Sequence, residues 1–168
     1  MSPEQAASLY HGLRGAGVRC WVIGGWGVDA LLRRQTRNHH DLDLLVQVED
    51  LPSLDRWLRE EGFQRRYPWD ESKPVVVAGQ RFETAFVERH EDGRELDIHA
   101  VEVDSGGRPR LMTTDPWTLP ADTLSAVGVI GNRQVACVTP AAQMSMHRGY
   151  ELPQCHLDDL TTLREELF

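Results

Sequence analysis

Apolar and polar positions recur along the chain with two different periods, one typical of helices and one typical of strands. Apolar residues spaced three or four apart predict a first helix over residues 3–15, which Ser2 caps and which Gly15 and Gly17 end. The same period predicts further helices over residues 26–34 and 52–61, a helix starting at Pro140, and a last helix over about residues 157–167.

Short apolar or alternating runs predict the strands that lie between these helices. They cover residues 19–23, 41–48, 74–78, 81–89 and 95–103, and a hairpin over residues 128–138 is centred on Gly131-Asn132. Gly79-Gln80 is predicted as a tight turn. Three early helices, a mixed sheet of about five strands and two late helices make an α+β (α/β) layer fold, in which helices flank the sheet.

The length and composition limit the class of protein. The chain has 168 residues and domains average roughly 150, so we expect a single domain over residues 1–168, in which residues 139–168 form a C-terminal helical part. Hydrophobic residues are 40% and charged residues 26%, values typical of a soluble globular protein. The net charge of −8 argues against a protein that binds the phosphate backbone of nucleic acids, which would carry a basic field.

The hydrophobic segments and the cysteines indicate the compartment. The apolar runs are far shorter than the about 20 residues of a membrane-spanning helix, and Glu4 and Arg14 stand where a signal peptide would be apolar. We therefore expect a cytoplasmic protein without a membrane partner. Cys20, Cys137 and Cys155 form no CxxC pair, which predicts reduced and mostly buried thiols rather than a disulfide framework or a zinc site.

Two carboxylates open the predicted strand over residues 41–48. Asp41 and Asp43 are two positions apart, so both side chains face one side of the strand, while Leu42 and Leu44 face the other. Adjacent carboxylates repel each other unless a cation lies between them, and Mg²⁺ prefers carboxylate, phosphate and water oxygens. The pair therefore indicates a magnesium site, with a solvated strand edge as the alternative.

A third carboxylate, Asp97, lies on the predicted strand over residues 95–103. Apolar residues alternate with it, which places Asp97 on a polar face. If this strand lies beside the first, Asp97 meets Asp41 and Asp43, and three carboxylates can hold two divalent ions about 4 Å apart for phosphoryl displacement. Asp97 is then the candidate general base that accepts the proton of an attacking hydroxyl. An exposed strand acid is the alternative.

A glycine-rich turn precedes the acidic pair. Gly24 and Gly25 follow the strand predicted over residues 19–23 and precede the helix predicted over residues 26–34. Small residues let the backbone approach phosphate oxygens, and the N-terminus of a helix favours negative charge. Such a turn is weakly specific by itself. The order of strand, Gly-Gly, helix and Asp-x-Asp within about twenty residues is much more specific.

This ordered pattern resembles the nucleotidyltransferase superfamily that includes DNA polymerase beta, and within it the small lincosamide and aminoglycoside nucleotidyltransferases of antibiotic resistance. The resemblance implies the polymerase-beta-like fold and transfer of a nucleoside monophosphate from an NTP, with ATP the expected donor, to a drug hydroxyl, releasing pyrophosphate. It implies that Asp41 and Asp43 hold two Mg²⁺ ions, that Asp97 binds one of them and acts as general base, and that Gly24 and Gly25 cradle the triphosphate. The resembling stretches are IGGWGVDALL (23–32), QTR (35–37), HDLD (40–43), ELDIH (95–99) and HRGY (147–150).

Basic and hydroxyl groups near these motifs are candidates for contact with the triphosphate. Arg37 stays charged and suits bidentate phosphate contact, and Thr36 and His39 lie beside it in sequence. The resemblance places the helix that carries His147, with Arg148 and Tyr150 close by, across the nucleotide. A structural salt bridge is the alternative for Arg37, and a half-buried structural histidine is the alternative for His147.

The acceptor site is less clearly specified. A cationic drug favours an acidic cleft, and the middle strands carry several acids, although most of them are expected to be plain solvated positions; they are Glu83, Glu88, Glu95, Glu102 and Asp104. Tyr67, Trp69 and Trp117 are aromatic residues that either line a pocket or cover the edges of the core. Residues 70–73 are a candidate mobile lid.

Three interpretations of function remain open from the residues. The first is a Mg²⁺-dependent nucleotidyltransferase that acts on a small hydroxylated molecule, plausibly an antibiotic. The second keeps this chemistry and changes the acceptor to a protein or RNA, as in nucleotidyltransferase toxins; the charge of −8 disfavours RNA. The third is a non-enzymatic domain that keeps the fold and binds a nucleotide or a partner chain, which the presence of all three acids disfavours. The oligomeric state is open, with a homodimer as one candidate.

Overall fold

The computed structural model describes residues 1–146 and 153–167 of the chain, so the predicted contacts of His147, Arg148 and Tyr150 lie outside the described residues. None of the helices within these ranges combines the length and the apolar character needed to cross a membrane. In chain order the elements are α1 (Pro3–Gly15), β1 (Cys20–Val22), α2 (Gly24–Leu32), β2 (Asp41–Gln47), a short 3₁₀ helix (Val48–Asp50), α3 (Leu51–Glu60), β3 (Gln64–Pro68), β4 (Val75–Val77), β5 (Gln80–Phe82), β6 (Ala85–Arg89), β7 (Glu95–Val103), β8 (Pro109–Leu111), β9 (Ala126–Ile130), β10 (Arg133–Cys137), α4 (Pro140–Met146) and α5 (Gln154–Leu167).

The described strands form a mixed eight-stranded sheet and a separate hairpin. The sheet runs in the order β3-β6-β7-β2-β1-β10-β9, with β8 paired to β7, and β4 pairs with β5. The pairs β2–β7 and β1–β10 are parallel, and the other pairs of the sheet are antiparallel. Helices and a mixed sheet together confirm the predicted α+β class.

The sheet is larger than the predicted five strands. Strands β3 and β8 were not predicted, because β3 consists of exposed residues and β8 has three residues, so neither carries an apolar run. The predicted strand over residues 81–89 divides into β5 and β6, which belong to different sheets. The β4–β5 turn is also one residue earlier than predicted: Ala78 and Gly79, both with positive φ, are its central residues.

The core accounts for the alternation seen in β2 and β7. Leu42, Leu44, Leu96 and Ile98 are completely buried in the main apolar cluster, together with residues of α1 and α3. Successive residues of a strand face opposite sides of the sheet. Burial of this apolar set therefore directs the intervening acidic side chains to the opposite face.

Helix α2 begins and ends two residues earlier than predicted. Gly24 is its first residue and has φ +62°, a backbone conformation that favours glycine. Arg33 ends the helix in the left-handed conformation. The helix therefore starts directly after β1, and its N-terminus lies beside the first residues of β2.

Candidate active site

The three predicted carboxylates lie on one face of two neighbouring parallel strands. Asp43 on β2 is directly opposite Asp97 on β7, and Asp41 is opposite Glu95. Neighbouring strands are about 4.8 Å apart, and residues i and i+2 of a strand share a face. The fold thus brings Asp41, Asp43 and Asp97 together, as the alternation in the sequence predicts.

The electrostatics of this cluster favour a positive partner. Burial raises the pKa of Asp41, and the charges of Asp97 and Glu95 raise it further. Burial raises the pKa of Asp43 well above its ordinary value, and the charges of Asp41 and Asp97 add to this effect. Carboxylates that resist ionisation in this way are stabilised by a nearby cation.

Asp97 is held by two neighbouring side chains. The indole Nε1–H of Trp69 donates a hydrogen bond of 2.9 Å to Asp97 Oδ1, and His99 Nε2 is 3.2 Å from the same oxygen. The Asp97 side chain is 13% exposed. Among the described residues no partner contacts Oδ2, so this carboxylate is oriented through Oδ1 while its other oxygen can take a proton or a ligand.

An aromatic pair borders the cluster. Tyr67 and Trp69 meet edge to face with ring centroids 5.2 Å apart, and both are exposed. Burial and then the charge of Asp97 raise the pKa of Tyr67, so its ring lies within electrostatic reach of the acids. The sequence left open whether Trp69 lines a pocket or covers an edge of the core, and it gave no sign of the hydrogen bond to Asp97.

The donor set fits a hard divalent cation, although the side chains are not arranged around one. Carboxylate oxygens are the protein ligands that Mg²⁺ prefers. Within residues 1–146 and 153–167, no three His, Cys, Asp or Glu side chains converge closely enough to coordinate a metal ion as they stand. Asp97 Oδ1 instead accepts the hydrogen bond from Trp69. Metal binding by Asp41, Asp43 and Asp97 stays a prediction.

The two glycines at the start of α2 leave room for the side chains of this site. A side-chain carbon at Gly24 would lie 2.0 Å from Asp43 Oδ2, and one at Gly25 would lie 2.7 Å from Arg37 Nη2. The N-cap residue, Ile23, supplies no side-chain hydrogen bond, so the first N–H groups of α2 are not capped by it. Phosphate binding by Gly24 and Gly25 stays a prediction, whereas their need to be glycine follows from these approaches.

A buried carboxylate that the sequence analysis missed organises the loop before β2. Asp29 on α2 is 2% exposed, and its Oδ1 accepts hydrogen bonds from the Thr36 backbone N–H (3.0 Å) and hydroxyl (2.6 Å). Asp29 Oδ2 lies 2.5 Å from His39 Nε2. Thr36 and His39, both predicted to contact the nucleotide, are thus engaged with Asp29. The signal in the sequence was a lone acid within an apolar helix.

Arg37 is also engaged within the protein. Its Nε and Nη2 form a bidentate ion pair with Asp159 on α5, with Nη2 2.7 Å from Oδ2. Asp159 is 5% exposed and the Arg37 side chain 29%. Burial and the neighbouring acids raise the pKa of Asp43, and the positive charge of Arg37 offsets part of that rise. Arg37 Nη2 also lies against Gly25, next to the acidic cluster.

Most of the acids predicted for an acceptor cleft have other partners. Glu88 is opposite Leu96 in the register and therefore faces away from Asp97; it is buried and pairs with Arg65. Of the five acids, Glu95 lies on the strand position beside Asp41 and pairs with Arg66. The others are held by groups near them: Glu83 accepts from Ser72, Glu102 pairs with Arg110, and Asp104 accepts from Gly106 and Arg108.

The predicted lid is hydrogen-bonded to the rest of the fold. Ser72 Oγ accepts hydrogen bonds from the backbone N–H groups of Thr84 and Ala85, and the Lys73 N–H donates to Thr84 Oγ1. Segment 70–73 is therefore anchored to the start of β6. Trp117 is exposed on the loop that follows β8.

A cavity of about 420 Å³ lies between α3 and β5, on the other face of the sheet. Leu54, Phe82 and Phe86 are among its lining residues. Phe86 is opposite Ile98 in the register, so this cavity and the carboxylate cluster are separated by the sheet.

Comparisons with known protein families identify relatives along nearly the whole chain. A family model described as aminoglycoside-2''-adenylyltransferase matches residues 6–163. A lincosamide resistance protein of Staphylococcus haemolyticus is 25% identical over 151 residues, which cover 88% of this chain and 84% of that protein.

Solved structures with the same fold include two antibiotic-modifying enzymes. The lincomycin-bound crystal structure of the lincosamide antibiotic adenylyltransferase LnuA matches with a TM-score of 0.72 and 23% identity, covering 94% of this chain and 92% of LnuA. The structure of ANT(2'')-Ia in complex with adenylyl-2''-tobramycin matches with a TM-score of 0.72 and 20% identity, covering 98% of this chain and 90% of the other. The predicted nucleotidyltransferase fold is confirmed.

Proposed function

The chain belongs to the aminoglycoside-2''-adenylyltransferase family and is a nucleotidyltransferase, and on this premise we propose that it transfers AMP from ATP to a hydroxyl of a lincosamide or aminoglycoside antibiotic, releasing pyrophosphate. One observation carries the proposal: Asp41, Asp43 and Asp97 share one face of the β2–β7 pair, beside the start of α2. This arrangement supplies oxygen ligands, a proton acceptor and a phosphate-binding helix end in one place.

Asp41, Asp43 and Asp97 would hold the divalent ions. When bound, two Mg²⁺ ions would neutralise the triphosphate oxygens and stabilise the attacking and leaving oxygens of an in-line displacement. The raised pKa values of Asp41 and Asp43 support this assignment, because burial and mutual repulsion disfavour two negative charges without a counter-ion.

Asp97 is the proposed general base. Trp69 and His99 contact Oδ1 and fix the orientation of the carboxylate. The other oxygen is then available to accept the proton of the acceptor hydroxyl as that oxygen attacks the α-phosphorus and pyrophosphate leaves. A base held by neighbouring side chains loses less freedom when the substrates bind.

The N-terminus of α2 and Arg37 are the proposed triphosphate contacts. Free N–H groups at a helix start bind anions, and Arg37 lies against Gly25, where α2 begins. Thr36 and His39 support this region through Asp29. His147 is a further proposed contact of the nucleotide.

The acceptor is proposed to bind against Tyr67 and Trp69. Both rings are exposed beside Asp97, the proposed base. Glu95 lies on the same strand as Asp97 and is opposite Asp41. Aromatic faces and carboxylates together favour a ligand that has apolar ring surface and positive charge. Lincosamides and aminoglycosides carry cationic amines and several hydroxyls, so either class fits.

We further propose a cytoplasmic enzyme with a single domain, because ATP is the donor and the helices α4 and α5 pack on the same fold. Contacts of α2 with both α4 and α5 support one folded unit. A homodimer stays a proposal that sedimentation or light scattering tests.

The function is tested by incubating the protein with Mg²⁺, ATP and, separately, lincomycin, clindamycin, tobramycin and kanamycin. The expected result is a drug that gains the mass of one adenylate, with one pyrophosphate released for each product molecule. The matched control is Asp97→Asn, which should form no product. If no drug of either class is modified while ATP is bound, the acceptor assignment is wrong.

A further inference from the structure

Arg37 is joined to α5 by an ion pair that spans 122 positions of the chain. Three contacts hold it: Arg37 Nε lies 3.0 and 3.1 Å from the two Asp159 oxygens, and Nη2 lies 2.7 Å from Oδ2. Asp159 is 5% exposed. A buried carboxylate that pairs bidentately fixes the plane of a guanidinium as well as its position.

The pairing leaves part of the guanidinium available for a second anion. An arginine side chain has five N–H donors. Asp159 uses the Nε–H and one Nη2–H, and the Asn38 carbonyl, 3.2 Å from Nη1, uses a third. Among the contacts of residues 1–146 and 153–167, one N–H on each terminal nitrogen is left without an acceptor, and guanidinium N–H groups of this kind donate to phosphate oxygens.

The available end lies at the start of α2. A side-chain carbon at Gly25 would lie 2.7 Å from Arg37 Nη2, so the terminal nitrogen touches the glycine turn. Arg37 also offsets part of the rise that burial causes in the pKa of Asp43, which lies against Gly24. Arg37 therefore stands between the buried carboxylate of α5 and the catalytic face of β2.

We propose that Asp159 is a positioning residue for the nucleotide: it holds Arg37 over the N-terminus of α2 so that the free end of the guanidinium binds the triphosphate. This inference rests on the proposed function, since it takes ATP as the substrate. It assigns to α5, which carries none of the three carboxylates of the proposed site, an indirect part in the affinity for ATP, through Arg37. An ordered arginine binds more tightly than a free one, because less side-chain freedom is lost on binding.

A second ion pair between the same two segments provides a matched control. Arg34 pairs with Glu166 near the end of α5, and both side chains are about half exposed. This pair also joins the loop before β2 to α5, but no carboxylate of the catalytic face is among its partners. If the substitutions only loosened α5, breaking either ion pair should lower the affinity for ATP equally. If Asp159 positions Arg37, only the loss of the Asp159 pair should lower this affinity.

The test measures binding of Mg²⁺–ATP and of Mg²⁺–tripolyphosphate by calorimetry, in the absence of acceptor. The proteins compared are wild type, Asp159→Asn, Glu166→Gln, Arg37→Gln and the double variant Arg37→Gln/Asp159→Asn. We expect Asp159→Asn to weaken binding of both ligands by about tenfold, which corresponds to about 1.4 kcal/mol. Glu166→Gln should stay near wild type. The double variant should bind like Arg37→Gln alone, because Asp159 acts through Arg37.

Steady-state kinetics provide a second readout in the same proteins. Asp159→Asn should raise KM for ATP and leave KM for the drug nearly unchanged. Should Asp159→Asn unfold the protein, Arg37→Lys takes its place: it keeps a charge for Asp159 but loses the guanidinium, and it should weaken tripolyphosphate binding similarly.

Several results would overturn the inference. The first is an affinity of Asp159→Asn for ATP and tripolyphosphate equal to that of wild type. The second is a loss of affinity in Glu166→Gln as large as that in Asp159→Asn. The third is a double variant that binds more weakly than Arg37→Gln by the full loss seen in Asp159→Asn. If wild type transfers AMP to a drug and one of these results is found, the proposed function stands and the inference fails. If wild type binds neither ATP nor tripolyphosphate, both fail.

Discussion

Asp29→Asn is predicted to destabilise the protein more than any exposed acid would. The Asp29 carboxylate is 2% exposed and takes part in three hydrogen bonds, two with Thr36 and one with His39. Asparagine keeps an oxygen for the Thr36 hydrogen bonds but removes the negative charge that faces His39, and breaking a buried charged pair of this kind costs about 3 kcal/mol or more. For a chain of this size that loss corresponds to a fall in Tm of about 6–12 °C.

The assay is urea unfolding, followed by tryptophan fluorescence, with thermal unfolding as a second measure. Asp55→Asn is the matched control: Asp55 is exposed on α3 and pairs with Arg59 four residues along, an arrangement worth about 0.5 kcal/mol or less. A loss in Asp29→Asn below about 1 kcal/mol, close to that of the control, would refute the role of Asp29 as the anchor of the loop before β2.

Three further outcomes follow from the site. Because the pKa of Asp43 is raised, the folded metal-free protein holds the Asp43 proton more tightly than the unfolded chain does, so its stability falls as pH rises above the ordinary value of 3.8. Asp43→Asn removes this titration, so it should raise Tm at pH 7 and abolish transfer. An unchanged Tm contradicts this reasoning. Asp97→Asn should stop transfer but leave Mg²⁺–ATP binding detectable by calorimetry, and near-normal turnover would show that Asp97 is not the base. Trp69→Phe removes the indole N–H that Asp97 accepts and should lower kcat about tenfold with little change in Tm; a normal kcat would show that this bond does not orient the base.

The sequence predicts which acidic side chains share a face of β2 and of β7, because that signal is local. Alternation along β2 and β7 specifies which side chains share a face, and burial of Leu42, Leu44, Leu96 and Ile98 leaves one arrangement of the acids. The glycine pair and the following helix are equally local. The pairing of β2 with β7 is not local, and it was the condition under which Asp97 was predicted to meet Asp41 and Asp43.

Features that depend on distant partners could not be predicted in this way. Strand β3 has only exposed residues, and it is a strand because it pairs with β6 across a register shift between Arg65 and Tyr67. The guanidinium of Arg37 suits contact with phosphate, and this can be read from the sequence. Its ion-pair partner, Asp159, lies on a helix far along the chain and could not be predicted. Asp29 was visible as a polar residue in an apolar helix, yet its partners depend on how the loop folds back.

The central claim is that Asp41, Asp43 and Asp97 together bind the metal ions that accompany ATP. The most direct test counts bound Mn²⁺, used in place of Mg²⁺, by electron paramagnetic resonance in the presence of a non-reactive ATP analogue. The account predicts two Mn²⁺ per wild-type chain, as in two-metal sites, and loss of metal in Asp43→Asn. An unchanged Mn²⁺ count in Asp43→Asn and in Asp41→Asn would contradict it.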